Sequence, residues 1–138
     1  MINILITGCS SGIGACAAAK CHQQGYNVIA TVRKAEDQHA LQQQGITTTL
    51  LDLTDSASIQ QAAAFTLKHF NNQLDVLFNN AAYGQPGAVE DLSRDTLRQQ
   101  FETNVFGTQE LSNHVIAHMR KQGYGRIIYN SSVLGFVS

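Results

Sequence analysis

Ile2-Asn3-Ile4-Leu5-Ile6-Thr7 runs into Gly8-Cys9-Ser10-Ser11-Gly12-Ile13-Gly14, and Ala15, Ala17, Ala18 and Ala19 follow. The apolar run predicts a strand covered on both faces, as in a parallel sheet. The alanines predict a helix from about Gly12 to Gln24, slim enough to lie close to that sheet, with Gly25 at its C-terminal cap. Between strand and helix the glycines fall as Gly-x-x-x-Gly-x-Gly, not as the Gly-x-Gly-x-x-Gly of the ordinary dinucleotide fingerprint. A phosphate needs backbone N–H groups at a helix N-terminus, and close approach there excludes side chains. Gly8 permits the tight turn, and Gly12 and Gly14 let a pyrophosphate and the helix come near the chain. The plain alternative is a glycine-rich turn without a ligand. The loop's place, after the first strand and at the head of a helix, favours nucleotide binding. Its expected binding residues are Thr7, Gly8, Ser10, Ser11, Gly12, Ile13 and Gly14.

Outward from this unit, short apolar runs alternate with helical stretches, which predicts parallel strands joined by helices. Strands are expected at Tyr26 to Val32, Thr47 to Leu51, Leu74 to Phe78 and Arg126 to Asn130. A short polar helix is expected from about Glu36 to Gln44, ended by Gly45. Thr54 can cap the next helix, whose buried stripe is Ile59, Ala63, Leu67 and Phe70. Ser93 can cap a long helix to about Lys121, with Leu97, Phe101, Val105, Leu111, Val115 and Met119 as its apolar positions, four apart except for the six-residue step from Val105 to Leu111. Right-handed crossovers then give a doubly wound α/β sheet in the order 3-2-1-4-5, with the ligand crevice at the carboxyl ends beside strand one.

The chain has 138 residues, 43% hydrophobic and 14% charged, with a formal net charge of −1. That suits one globular domain with a real core. No basic excess points to nucleic acid or an anionic membrane, and no apolar run approaches the ~18 residues of a membrane span. Met1 to Ile6 lacks a basic n-region and reads as strand, not as a signal peptide. Cys9, Cys16 and Cys21 are odd in number and lack Cys-x-x-Cys spacing, so no disulfide frame or zinc site is expected; free thiols suggest a cytoplasmic setting. Asn130-Ser131-Ser132 matches a glycosylation acceptor, read here as chance. His114 and His118 lie four apart without a third ligand, which favours a solvated face over a metal site. Cys9 reads as a small filler.

Five segments together carry a resemblance: Thr7-Gly8-x-x-x-Gly12-x-Gly14, Asp52-Leu53-Thr54, Asn79-Asn80-Ala81, Asn104-Val105-Phe106-Gly107, and Arg126-Ile127-Ile128-x-Asn130-Ser131-Ser132-x-x-Gly135. In this order and at these intervals the chain resembles the short-chain dehydrogenase/reductase family over its whole length. The segments at Tyr83-Gly84 and from Asn104 to Thr108 are similar to hydroxysteroid- and retinol-dehydrogenase-like members. The resemblance implies a Rossmann-like NAD(P)-binding domain over residues 1–138, with the C-terminal part of the family fold missing after strand five. It implies hydride transfer between a nicotinamide and a ketone, aldehyde or secondary alcohol. Asp52 and Leu53 would flank the adenine, although Asp52 also suits a helix-entry turn. Asn79 would steady the central sheet, and the backbone of Asn79, Asn80 and Ala81 would lie along the cofactor. Where the family usually has the next glycine, this chain has Ala82. Asn104 would hold a water of a proton relay. The Ser-x-x-Gly pattern selects Ser132 to hydrogen-bond the substrate carbonyl, with Ser131 as the fallback.

An NAD enzyme usually ends strand two with an acid that holds the ribose hydroxyls. That place holds Val32, and Arg33 and Lys34 follow. A guanidinium can grip a 2′-phosphate that a carboxylate would repel. NADP is therefore expected over NAD, with Arg33 the main contact and Lys34 beside it. The alternative is two solvated charges in a turn, with Glu36 and Asp37 close by.

The family's proton donor is the tyrosine of a Tyr-x-x-x-Lys, tuned by nearby positive charge from a pKa of about 10. Tyr26, Tyr83, Tyr124 and Tyr129 all precede Ser132, and none has a lysine four residues on. The 138 residues alone are therefore expected not to turn substrate over. Strand five is expected to be an uncovered edge, and the helix around 94–121 the face for a homo-oligomer. Two further readings stand beside the reductase. One is a non-catalytic dinucleotide-binding or oligomerising module. The other, more remote, is a Rossmann-like methyltransferase, whose loop would have other glycine spacing.

Overall fold

A computed structural model of the chain describes residues 1–135. Five parallel strands, β1 (Asn3–Ile6), β2 (Asn27–Val32), β3 (Thr47–Leu50), β4 (Val76–Asn79) and β5 (Arg126–Tyr129), pair in the order β3-β2-β1-β4-β5. This is the order that right-handed crossovers require, and it sets the topological switch beside β1. Helices α1 (Gly12–Gln23), α2 (Gln38–Gln42), α3 (Ser56–His69), α4 (Arg94–Phe101) and α5 (Thr108–Gln122) connect the strands.

Strand side chains alternate between two cores. Ile4, Ile6, Val28, Ala30 and Val32 pack with Ala18 of α1, Leu41 of α2 and Ile46. Leu5, Ile29 and Leu77 point the other way, onto Ile59, Ala63 and Leu67 of α3 and Leu111, Val115 and Met119 of α5. Each fully buried aliphatic side chain of this kind contributes about 1.5–3 kcal/mol. The near-continuous apolar runs of β1 and β2 follow from this covering on both faces.

Three expectations need correction. Thr54 is not the cap of α3. Asp55 is, accepting from the Ala57 N–H at 2.9 Å, while Thr54 donates its N–H and hydroxyl to the Asp52 carboxylate. An acid two residues before a helical N–H caps as well as a threonine, and the sequence offered both. The polar helix near 36–44 is shorter than expected, a 3-10 turn at Ala35–Asp37 followed by α2. The long helix is not one α-helix. Ser93 does cap its start, accepting from the Thr96 N–H at 3.2 Å, but a π-helical segment at Glu102–Gly107 separates α4 from α5. Only the second half of its apolar stripe is buried. Leu111, Val115 and Met119 are core, whereas Leu97, Phe101 and Val105 are 46%, 51% and 45% exposed.

Gly107 ends the π-helical segment where the helix passes Leu53, and a Cβ there would run into the Leu53 carbonyl oxygen. The glycine thus lets α5 seat against the turn that carries Asp52 and Leu53. No helix among the described residues is long and apolar enough to cross a membrane.

Candidate nucleotide and active-site cleft

The carboxyl ends of the strands open on a cleft of about 1410 Å³. Gly8, Ser10, Ser11, Ile13, Arg33, Lys34, Asp52, Leu53, Asn79, Asn80, Ala81, Asn104, Ser131 and Ser132 line it, so the sheet brings residues 124 positions apart in sequence to one wall. Thr7 and Gly14 are buried behind that wall, and Gly12 sits exposed at the head of α1.

The glycine loop is built by its backbone. Gly8 and Gly12 have φ of +71° and +58°, the left-handed region that side chains disfavour. A Cβ on Gly14 would strike the Gly8 carbonyl oxygen and sit 2.6 Å from Asn80 Nδ2. Ser11 is the N-cap of α1 but makes no side-chain capping bond, and the first turn carries no acid. The first-turn amides of an α-helix have no intrahelical acceptor, so an anion is their natural partner. Behind the loop, the Thr7 hydroxyl accepts from the N–H groups of Asn80 (3.0 Å) and Ala81 (2.9 Å). Buried Thr31 accepts from the Gly8 N–H through its hydroxyl (3.4 Å) and from Cys9 through its carbonyl (2.8 Å). Cys9 itself is 1% exposed, and burial pushes its thiol up to about 12. It is a core residue in a polar loop, as expected.

At the end of β2, Val32 points into the core and Arg33 and Lys34 are exposed. Lys34 Nζ lies 3.4 Å from Glu36, a surface pair that partly answers its charge. Arg33 lines the cleft together with Asp52. Hydrogen bonds from the Thr54 N–H and hydroxyl hold the Asp52 carboxyl below the usual carboxylate range, and the Arg33 charge lowers it further. The Asp52 N–H donates to Ser58 Oγ at 2.9 Å.

At the other side, Asn104 does not stand free toward the cleft. Its Oδ1 accepts from the Tyr83 N–H (3.2 Å) and its Nδ2 donates to the Tyr83 carbonyl (2.8 Å), clamping the loop that follows β4. The π-helical segment presents this side chain, a use often made of such segments. Ser131 and Ser132 follow β5 and both line the cleft. Ser132 also accepts the Gly135 N–H at its carbonyl, at 3.0 Å.

Sequence reasoning missed the joint beneath this site. Ser112 of α5 is fully buried; its hydroxyl donates to the Thr108 carbonyl (2.9 Å) and accepts from Asn79 Nδ2 (3.1 Å) and the Tyr129 hydroxyl (3.0 Å). One hydroxyl thereby ties β4, β5 and α5. The available signal was a serine inside the stripe of Leu111, Val115 and Met119, where a polar residue needs partners.

The sequence model of the short chain dehydrogenase family matches residues 3–138. The uncharacterized oxidoreductase YbbO of Escherichia coli K12 is 39% identical over 136 residues, covering 99% of this chain and 51% of that protein. Human retinol dehydrogenase 8 is 34% identical, covering 96% of this chain and 44% of that protein. Among solved structures, a short-chain dehydrogenase from Streptomyces avermitilis superposes with a TM-score of 0.92 at 34% identity, covering 100% of this chain and 52% of that one. An actinorhodin polyketide ketoreductase solved with NADPH gives 0.88 at 27% identity, covering 96% and 54%. The chain spans about half the length of the curated relatives it matches.

Proposed function

This chain belongs to the short chain dehydrogenase family, and from that premise we propose that it is the nucleotide-binding part of an NADP(H)-dependent oxidoreductase acting on a ketone, aldehyde or secondary alcohol. The observation that carries the cofactor choice is the end of β2, where Val32 stands in place of an acid and Arg33 lines the cleft. The relative solved with NADPH supports the same choice.

The residues fit such a cofactor. Gly8, Ser10, Ser11 and Ile13 bring the head of α1 to the cleft, and the absence of side chains at Gly8 and Gly14 keeps the loop tight against its neighbours. Ser10, Ser11, Gly12 and Ile13 would surround the pyrophosphate, with Thr7, Gly8 and Gly14 shaping the turn. Arg33, with Lys34, would hold the 2′-phosphate, and Asp52 and Leu53 the adenine. Asn79, Asn80 and Ala81 would lie along the nicotinamide half. A bound nicotinamide dinucleotide supplies or accepts the hydride. Ser132 would donate a hydrogen bond to the substrate oxygen, with Ser131 as the alternative. Asn104 would act through the loop it clamps at Tyr83, since that clamp engages both ends of its carboxamide.

Titration of the purified chain with NADPH and NADH tests this. Arg33→Ala should weaken NADPH about 10–100-fold, the size of a lost charge-assisted hydrogen bond, and leave NADH nearly unchanged. Equal losses for both nucleotides would sink the 2′-phosphate assignment.

A second reading concerns the 138 residues by themselves. They hold no Tyr-x-x-x-Lys, which supports cofactor binding without turnover. Steady NADPH oxidation by this polypeptide with a carbonyl substrate would overturn it. The exposed Leu97, Phe101 and Val105 support a homo-oligomer through the helix around 94–121, and the free thiols support a reducing, cytoplasmic setting.

A further inference from the structure

Two carboxamides bridge the serine segment to the glycine loop. Asn130 directly follows β5; its N–H donates to the Asn79 carbonyl at 2.9 Å and extends the strand pairing by one residue. Its side-chain Nδ2 donates to Asn80 Oδ1 at 2.9 Å. Asn80 turns its own Nδ2 the other way, donating to the carbonyls of Thr7 (3.1 Å) and Gly8 (3.2 Å). That orientation of Asn80 cannot be reversed, because its oxygen would then face two carbonyl oxygens. Its outward-facing oxygen therefore requires a donor, and Asn130 supplies it. The two amide dipoles align head to tail, an arrangement in which each bond strengthens the next. The Asn80 amide also lies against the head of α1, 2.6 Å from where a Gly14 Cβ would be.

We propose that Asn130 is a positioning residue that couples the order of the glycine loop to the placement of Ser131 and Ser132. This rests on the reading of the cleft as a nucleotide site, and adds that ordering Gly8 to Gly14 around a phosphate also orders the serine segment. An apolar residue at 130 would keep the strand but break the coupling. Aspartate would keep the size and set an acceptor against Asn80 Oδ1.

Amide hydrogen exchange on the full chain without nucleotide tests the coupling apart from any cofactor. In Asn130→Leu, exchange at Gly8, Cys9, Asn80 and Ala81 should quicken about threefold to tenfold, the size of one lost neutral hydrogen bond. Asn130→Asp should quicken it at least as much at neutral pH. Arg126→Ala, at the far end of β5, should leave these amides unchanged. Unchanged exchange in Asn130→Leu overturns the coupling, as does an equal rise in Arg126→Ala, which would mean general loosening of the edge strand. A parallel NADPH titration should show Asn130→Leu weakened by a similar factor. If the unaltered chain binds no NADPH, the cofactor reading falls while the exchange result still decides the coupling.

Discussion

The two flanks of β1 and β4 are built differently. On the β2 side, Leu5, Ile29 and Ala30 are wholly buried between helices, and the glycine loop is shaped by close backbone contacts. On the β5 side, Ile128 and Tyr129 are 41% and 51% exposed, and the helix before α5 shows Phe101 and Phe106 on its surface, their rings 6.3 Å apart. The first flank is held by apolar burial on two faces. The second packs Leu77 and Ile127 on one core and adds polar ties: the Ser112 hydroxyl, the Asn104 clamp and the Asn130–Asn80 bridge. A glycine loop on a doubly covered strand pair is held in place by its packing, which lowers the entropic cost of ordering it around a ligand. A serine segment on a half-covered strand depends on individual hydrogen bonds for its position.

The largest expected contrast lies between matching aliphatic residues on the two flanks. Ile29→Ala should cost about 2–5 kcal/mol in urea denaturation, the range for emptying a packed core position. Ile128→Ala should cost less than about 1 kcal/mol. Equal losses would mean that β5 is covered in solution and would end the comparison. Next comes the joint. Ser112→Ala leaves Asn79 Nδ2 and the Tyr129 hydroxyl without their acceptor and should cost about 1–3 kcal/mol. Tyr129→Phe in the same background should then add little, and a fully additive second loss would show that the two groups do not share Ser112.

The smallest effect tests the polar turn on the buried flank. The folded state lowers the Asp52 pKa below its ordinary 3.8, so the ionised form is favoured by folding. Its contribution is complete above that value and is lost as pH falls through the depressed one. The group is near the surface, so after solvent screening the gain is less than about 1 kcal/mol. The stability difference between the unaltered chain and Asp52→Asn should therefore shrink as pH drops from 5 toward 2. A difference that grows with acid would reverse the assigned sign.

Much of the β2 flank could be read along the chain. The apolar runs of β1 and β2, the alanines of α1 and the glycine spacing each report a local demand: two covered faces, a thin helix, a backbone that admits no Cβ. The β-branched run from Thr47 located β3 in the same way, whereas Asp52 and Leu53 beyond it were singled out only through the family resemblance. Two readings failed because local signals competed. Thr54 and Asp55 both cap helices well, and only the turn geometry that bends Thr54 back onto Asp52 decided between them. The apolar positions from Leu97 to Met119 read as one helix, but burial depends on what lies opposite, and α3 packs with Leu111, Val115 and Met119.

By itself, then, the sequence determined the parallel α/β order, the glycine loop and the residues that meet at the cleft, because periodicity and backbone-restricted positions act within a few residues. Tertiary structure alone decided which hydroxyl joins three elements, where the long helix loosens into a π-helical segment, and that Asn130 reaches Asn80. Each of those depends on groups tens of residues apart, whose partners exist only once β5 has paired with β4 and α5 has closed over both.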